Sequence, residues 1–164
     1  VNFTAICKTC KKLKSAFVCG LCTEPVCKSC GQFTNDAFAF RRSVPKELSH
    51  SVYCGQCFDE TVAAPLADYE ATLERSRDVI VFLKNETKRT GHLKRKEIPL
   101  TVTDCEDEEE TVLRLAFFAA EAGHNCLLDV AISHRKIIVG SHKKTIFSGT
   151  AIPTKIDPSE VREY

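Results

Sequence analysis

The chain has 164 residues, 23 of them Lys or Arg against 22 Asp or Glu, and 43% are hydrophobic, so it can hold one domain of ordinary size or two small ones. A formal charge of +1 does not indicate general nucleic-acid binding through a broad positive field, and no apolar run approaches the ~20 residues of a membrane span. No signal-peptide pattern opens the sequence, and the lack of any methionine, an initiator included, leads us to expect a processed or excised piece.

Cysteine is unevenly distributed: eight of the ten stand before residue 58. In chain order they form four Cys-x-x-Cys pairs, Cys7/Cys10, Cys19/Cys22, Cys27/Cys30 and Cys54/Cys57. Two thiolates separated by two residues make a knuckle that offers both sulfurs to one ion, and zinc takes four such ligands in a tetrahedron. Eight cysteines therefore predict two structural zinc ions, each in a closed four-cysteine site. A disulfide framework would need an oxidising compartment and poor bridging geometry within each pair. The spacing C-x2-C-x8-C-x2-C-x4-C-x2-C-x23-C-x2-C suggests a cross-brace. Cys7, Cys10, Cys27 and Cys30 would hold one ion, and Cys19, Cys22, Cys54 and Cys57 the other. A sequential arrangement, Cys7 to Cys22 and then Cys27 to Cys57, uses the same ligands and stays open at this point. A finger of about 60 residues has little apolar core, so metal is expected to supply much of its stability. Four thiolates and a 2+ ion per site take the charge of the loaded chain to about −3. Free thiols beside zinc knuckles point to a reducing, cytoplasmic setting.

The run Cys19-Gly-Leu-Cys22-Thr-Glu-Pro-Val-Cys27-Lys-Ser-Cys30, with Val52-Tyr-Cys54-Gly-Gln-Cys57 far downstream, resembles the FYVE and FYVE-related zinc fingers. The resemblance covers about the first 65 residues and implies a scaffold for binding. Lipid-reading members carry an Arg/His-rich segment before the third ligand and a Trp-x-x-Asp segment before the first. Here Lys14-Ser-Ala-Phe-Val leads into Cys19, and the chain has no tryptophan. Lys11, Lys12, Lys14, Arg41 and Arg42 remain as a candidate patch for a phosphoinositide or a partner, against the plainer reading of a solvated loop face. A RING-like ubiquitin ligase is a further alternative, although RING fingers normally place a histidine where this chain has Cys22.

Within the finger, Phe17 and Val18 are expected to be buried. Phe33, Phe38 and Phe40 alternate along the excursion 31–53 as its small core. Beyond Cys57 we expect a helix over 65–77, started by Pro65, with Leu66, Tyr69 and Leu73 at helical spacing. Val79 to Leu83 reads as a buried strand. Residues 84–97, with Lys84, Lys88, Arg89, Lys94, Arg95 and Lys96 around Gly91, read as a basic hairpin loop. A strand from Ile98 to Thr103 precedes the acidic run Asp104 to Glu110, which opens a helix over 107–122. Val112, Leu115, Ala116 and Ala119 share one face of that helix; Leu113, Phe117 and Ala120 share the adjoining one, a surface wide enough to suggest packing between subunits or, within one chain, against the finger or the connecting helix. Gly123 is its cap. Leu127 to Ile132 is a strand, Ile137 to Val139 continues it or turns back at Gly140-Ser141, and Thr145 to Ile152 is the last. No nucleophile elbow, phosphate-cradling loop or His-Glu metal motif occurs, and Cys105, Cys126, His134 and His142 lack partners at ligand spacing.

The helix end Ala120-Glu-Ala-Gly123-His-Asn125, the strand Leu127 to Ile132 and the terminal Ser148-Gly-Thr-Ala151 resemble the small bacterial YbjQ-type domain over about residues 98–156. The resemblance implies ring-like oligomers and a heavy-metal association; His124 stands where that family has a small residue. The expected fold class is α+β: a cross-brace finger over 1–64, a connecting helix over 65–78, an α+β domain over 79–156 with one helix on a sheet, and a tail over 157–164. The expected function is a non-enzymatic, zinc-binding adaptor displayed by a homo-oligomer. Its partner would be a protein and not nucleic acid, with peripheral membrane contact in the phosphoinositide alternative.

Overall fold

The computed structural model describes residues 5–34 and 44–160; Phe38, Phe40, Arg41 and Arg42 lie outside them. The chain divides into two compact units, Val1–Glu70 and Ala71–Tyr164.

In the first unit, β1 (Ala5–Ile6), β2 (Leu13–Val18) and β3 (Pro25–Cys27) form a three-stranded antiparallel sheet. β4 (Gly31–Phe33) pairs with β5 (Val52–Cys54) in a second, two-stranded one. The buried apolar residues described here are Cys7, Cys19, Val26, Cys27, Leu48, Tyr53, Cys54, Val62 and Tyr69, four of the nine being cysteines. Such a core cannot hold by apolar burial alone. Tyr53 is fully enclosed: its hydroxyl donates to the Glu47 carbonyl at 2.9 Å and accepts from the His50 N–H at 3.0 Å, tying down the turn before β5. Val18, expected inside, is 59% exposed. The alternation of β2 explains it, because Ser15 is buried and Phe17 half-buried on one face while Val18 points away. Phe17 meets Phe33 edge to face, with centroids 5.1 Å apart.

The helix after the last knuckle starts earlier than Pro65. α1 (Gly55–Cys57), a π turn (Phe58–Val62) and α2 (Ala63–Arg77) follow without a break. Pro65 therefore lies inside the run, where it removes one N–H and crowds the preceding turn. That turn is the wide one, in which the Ala63 N–H reaches back to the Phe58 carbonyl.

In the second unit, β6 (Ile80–Leu83), β7 (Leu100–Cys105), β8 (Cys126–Val139) and β9 (His142–Thr154) form one sheet in the order β6-β8-β9-β7. β6 is parallel to β8 and the other pairs are antiparallel. α4 (Glu108–Glu121) covers one face, burying Leu115, Ala116, Ala119 and Ala120 with Val102, Leu127, Val130 and Ala151. Asp107 caps it through the Glu110 N–H, and Gly123 beyond its end takes φ 81. The opposite sheet face holds a smaller cluster, Phe82, Leu93, Cys126, Leu128 and Ile156. With helices and sheets in both parts of the chain, the α+β class holds.

Two expectations change in this unit. Residues 84–97 are not a hairpin loop, because β6 and β7 lie on opposite edges of the sheet. The run winds through short helical turns, including α3 (Thr87–Thr90), and two of its cations are anchored. Arg89 stacks over Phe82 at 5.5 Å, and Arg95 grips Asp129 with bonds of 2.6 and 3.0 Å. Ile98 is 85% exposed and β7 begins at Leu100, after Pro99, whose missing N–H cannot join a ladder. On the adjoining face of α4, Phe117 (3% exposed) and Ala120 (5%) are buried and Leu113 is half-buried.

Two β-bulges reset the alternation. At Asp129 (φ 53), two residues of β8 oppose one of β9, which puts both Leu127 and Val130 on the α4 side. Asp104 (φ 58) sits in the corresponding bulge of β7. Aspartate tolerates this left-handed backbone better than most residues.

Candidate metal centres

The eight knuckle cysteines gather into two tetrads, Cys7, Cys10, Cys27 and Cys30 in one and Cys19, Cys22, Cys54 and Cys57 in the other. Within each, all four sulfurs lie within 4.8 Å of one another. The first and third knuckles thus share a site, and so do the second and fourth. The β2–β3 pairing forces this interleaving: Ser15 lies opposite Cys27 and Val18 opposite Pro25, so the third knuckle folds back past the second onto the first. The Gly20 N–H, inside the second knuckle, bonds the Val52 carbonyl of β5 at 2.9 Å and so brings Cys54 to it.

Backbone geometry shapes each knuckle. Lys11 N–H closes onto the Cys7 carbonyl and Thr23 N–H onto the Cys19 carbonyl, both at 2.9 Å. Lys11 and Thr23 take φ 58 and φ 59 to do so. The fourth knuckle is also a helix cap, for the Cys54 sulfur accepts the Cys57 N–H at 3.5 Å where α1 begins. Gly20, inside the second knuckle, is required for space: a Cβ there would collide with the His50 ring.

Sulfur spacing tests what the tetrads hold. Cys10 and Cys27 Sγ are 3.7 Å apart, and Cys22 and Cys54 Sγ 3.8 Å. A disulfide needs about 2.05 Å. A tetrahedron with metal–sulfur bonds of about 2.3 Å has edges of about 3.8 Å. The donor set therefore fits one tetrahedrally coordinated metal ion per tetrad.

The sulfurs are electrostatically unequal. Backbone N–H groups of Cys10 and Cys27, the latter at 3.4 Å, draw the Cys7 thiol down to about 6. Burial raises Cys19, but the N–H groups of Cys22, Cys54 and Leu21 outweigh it and bring that thiol to about 6 as well. The Cys27 sulfur beside it pushes Cys30 up to about 12, while burial and then the Cys54 sulfur do the same to Cys57. Four like groups in contact cannot all ionise without a cation between them. Lys8, from the first knuckle, extends its ammonium to the Cys22 sulfur of the other site at 3.6 Å, and the charge of Cys22 raises its pKa.

Lys11 and Lys12 are exposed at the first knuckle, Lys14 belongs to β2, and Arg41 and Arg42 lie outside the described residues. No third cluster able to hold metal occurs among the described residues. Cys105 is buried against Arg114, whose guanidinium reaches its sulfur at 3.3 Å. Cys126 is a core residue whose thiol burial pushes up to about 11, and His134 and His142 are exposed on strands. No helix among the described residues is long and apolar enough to cross a membrane.

The chain matches no protein-family model, no curated protein and no solved structure.

Proposed function

We propose that the protein is a non-enzymatic, zinc-binding interaction module in which two structural zinc ions build a FYVE-like finger that meets a protein partner. The carrying observation is the pair of interleaved tetrads with sulfur separations of 3.7 and 3.8 Å. Tetrahedral four-sulfur sites suit zinc or iron. Zinc is favoured because each site joins two knuckles distant in sequence, which is its structural use. Four protein ligands leave no coordination position for water or substrate, which argues against metal-centred catalysis. The finger exposes Ile6 (54%), Leu13 (62%), Val18 (59%) and Phe33 (46%), apolar surface available to a partner. Elemental analysis should return about two zinc per chain; a value near one, or iron in place of zinc, would overturn the assignment.

One observation favours a second reading, contact with an anionic membrane. Ile6 and Leu13 are register partners on β1 and β2, and the exposed Lys11 and Lys12 lie in the turn between them. Apolar side chains flanked by lysines suit a lipid headgroup boundary. Co-sedimentation with vesicles containing phosphatidylinositol 3-phosphate tests it, and protein left in the supernatant removes it.

A further inference from the structure

The β8–β9 hairpin outruns its sheet. β6 is paired with β8 only as far as Val130, and β7 with β9 only between Ala151 and Phe147. β8 and β9 stay paired to Val139↔His142 around the Gly140-Ser141 turn, where Gly140 takes φ 62. Residues 133–146 are thus largely a two-stranded ribbon without a third strand, some 20 Å long at about 3.4 Å per residue. The segment contains Arg135, Lys136, Lys143 and Lys144 and no acidic residue.

Cross-strand register sorts these side chains, because directly opposed residues point to the same face. His134, Lys136 and Ile138 share one face with Phe147, Thr145 and Lys143. Arg135, Ile137 and Val139 share the other with Ile146, Lys144 and His142. The fold supplies counter-charges to the second face alone: Arg135 reaches Asp104 at 3.8 Å and Lys144 reaches Glu106 at 3.9 Å. On the first face, Lys136 and Lys143 have no ion-pair partner among the described residues, and Ile138 beside them is 75% exposed.

We propose that this ribbon binds duplex DNA, laying its Lys136/Lys143 face against the phosphates of the major groove. A two-stranded ribbon fits the ~12 Å width of that groove, whereas the deep, narrow groove of A-form RNA does not admit it. Lysine and threonine contact phosphates, which carry no sequence information, so binding through them is sequence-independent. The near-neutral net charge does not oppose it, because exposed charges act within a Debye length of about 8–10 Å and the cations are segregated here. Lipid is the poorer partner: the tip is Gly140-Ser141-His142, and these would have to enter the bilayer ahead of Ile137, Ile138 and Val139. The proposal uses no metal ligand and stands apart from the reading of the finger.

Fluorescence anisotropy of the zinc-loaded full chain with a labelled duplex of about 20 bp tests it. The two lysine–phosphate contacts give a slope of about −1.8 for log affinity against log salt. Lys136→Ala with Lys143→Ala should reduce that slope by about 1.8 and weaken binding at about 50 mM salt by roughly tenfold or more. Both substitutions are on exposed positions, so zinc content and circular dichroism should not change. Failure to bind duplex DNA at low salt, or an unchanged slope in the double variant, overturns the proposal. So does equal affinity for an RNA duplex, or preference for phosphatidylserine vesicles or polyglutamate over DNA.

Discussion

The unequal thiols of the two tetrads make zinc loading a measurable proton balance. At pH 7, Cys7 and Cys19, drawn down to about 6, are largely thiolate, whereas Cys30 and Cys57, pushed up to about 12, keep their protons. Zinc binds thiolate, so filling both sites must expel at least the protons of Cys30 and Cys57, one or more per ion. Below pH 6, Cys7 and Cys19 are protonated as well, and each ion must displace a further proton. Apparent zinc affinity therefore falls with acid, and its logarithm falls more steeply below pH 6 than above, by about one extra unit per pH unit at each site. Release can be read with a pH indicator as zinc is added to chelator-stripped protein, and affinity by competition with a chromophoric chelator from about pH 8 to 5. Release well below one proton per zinc at pH 7 would refute the reasoning. So would a constant slope near four, which would mean that the strands do not gather the sulfurs before metal arrives.

Tyr53→Phe deletes a hydroxyl that satisfies two buried backbone groups, and should cost about 1–3 kcal/mol in denaturation of the zinc-loaded protein. Gly149→Ala places a Cβ 2.5 Å from Thr111 Cγ2 and 3.1 Å from Leu115 Cδ1 under α4; a loss of about 1–3 kcal/mol from overpacking is expected by thermal melting. Asp129→Asn removes the charge that Arg95 grips and should destabilise by about 1–3 kcal/mol at pH 7. Arg95 holds the Asp129 carboxyl below its ordinary 3.8, so this stabilisation is present above pH 4 and fades as pH falls further. Wild type and the Asn variant should converge in acid; a difference that persists undiminished at pH 2 would show that the charge is not its source.

Much of this architecture is written in the residues. The four knuckles announce metal because zinc dictates ligand type and spacing, and α4 is legible from its acidic first turn, apolar period and terminal glycine. What escaped depends on contacts distant in sequence. The knuckle spacing admits two pairings, and the strand ladders choose between them. Residues 84–97 look like a solvated loop because a lysine- and arginine-rich run gives no sign that Arg95 will meet Asp129. That partner occupies an αL bulge position which a strand pattern does not reveal. Pro65 marks a helix start in isolation, yet Cys54 caps the helix first, a role for sulfur that the usual Ser, Thr, Asp and Asn preferences do not anticipate.

The interleaving of the tetrads has a consequence for how the chain fills with metal. Each ion gathers ligands that flank a knuckle of the other, and Lys8 carries charge from one site to a sulfur of its neighbour. A chain with a single ion would hold its second set of sulfurs near their final places without the cation that lets them ionise. The entropic difference between the two loop closures is small, about 0.6 kcal/mol for a doubling of length, so neither site fills far ahead of the other. At half the saturating amount of zinc, native mass spectrometry should therefore show one-ion chains alongside empty and two-ion ones, since strands that gather the sulfurs beforehand leave the first ion little to do for the second. The abundance of the fully loaded finger then follows zinc supply without a sharp threshold.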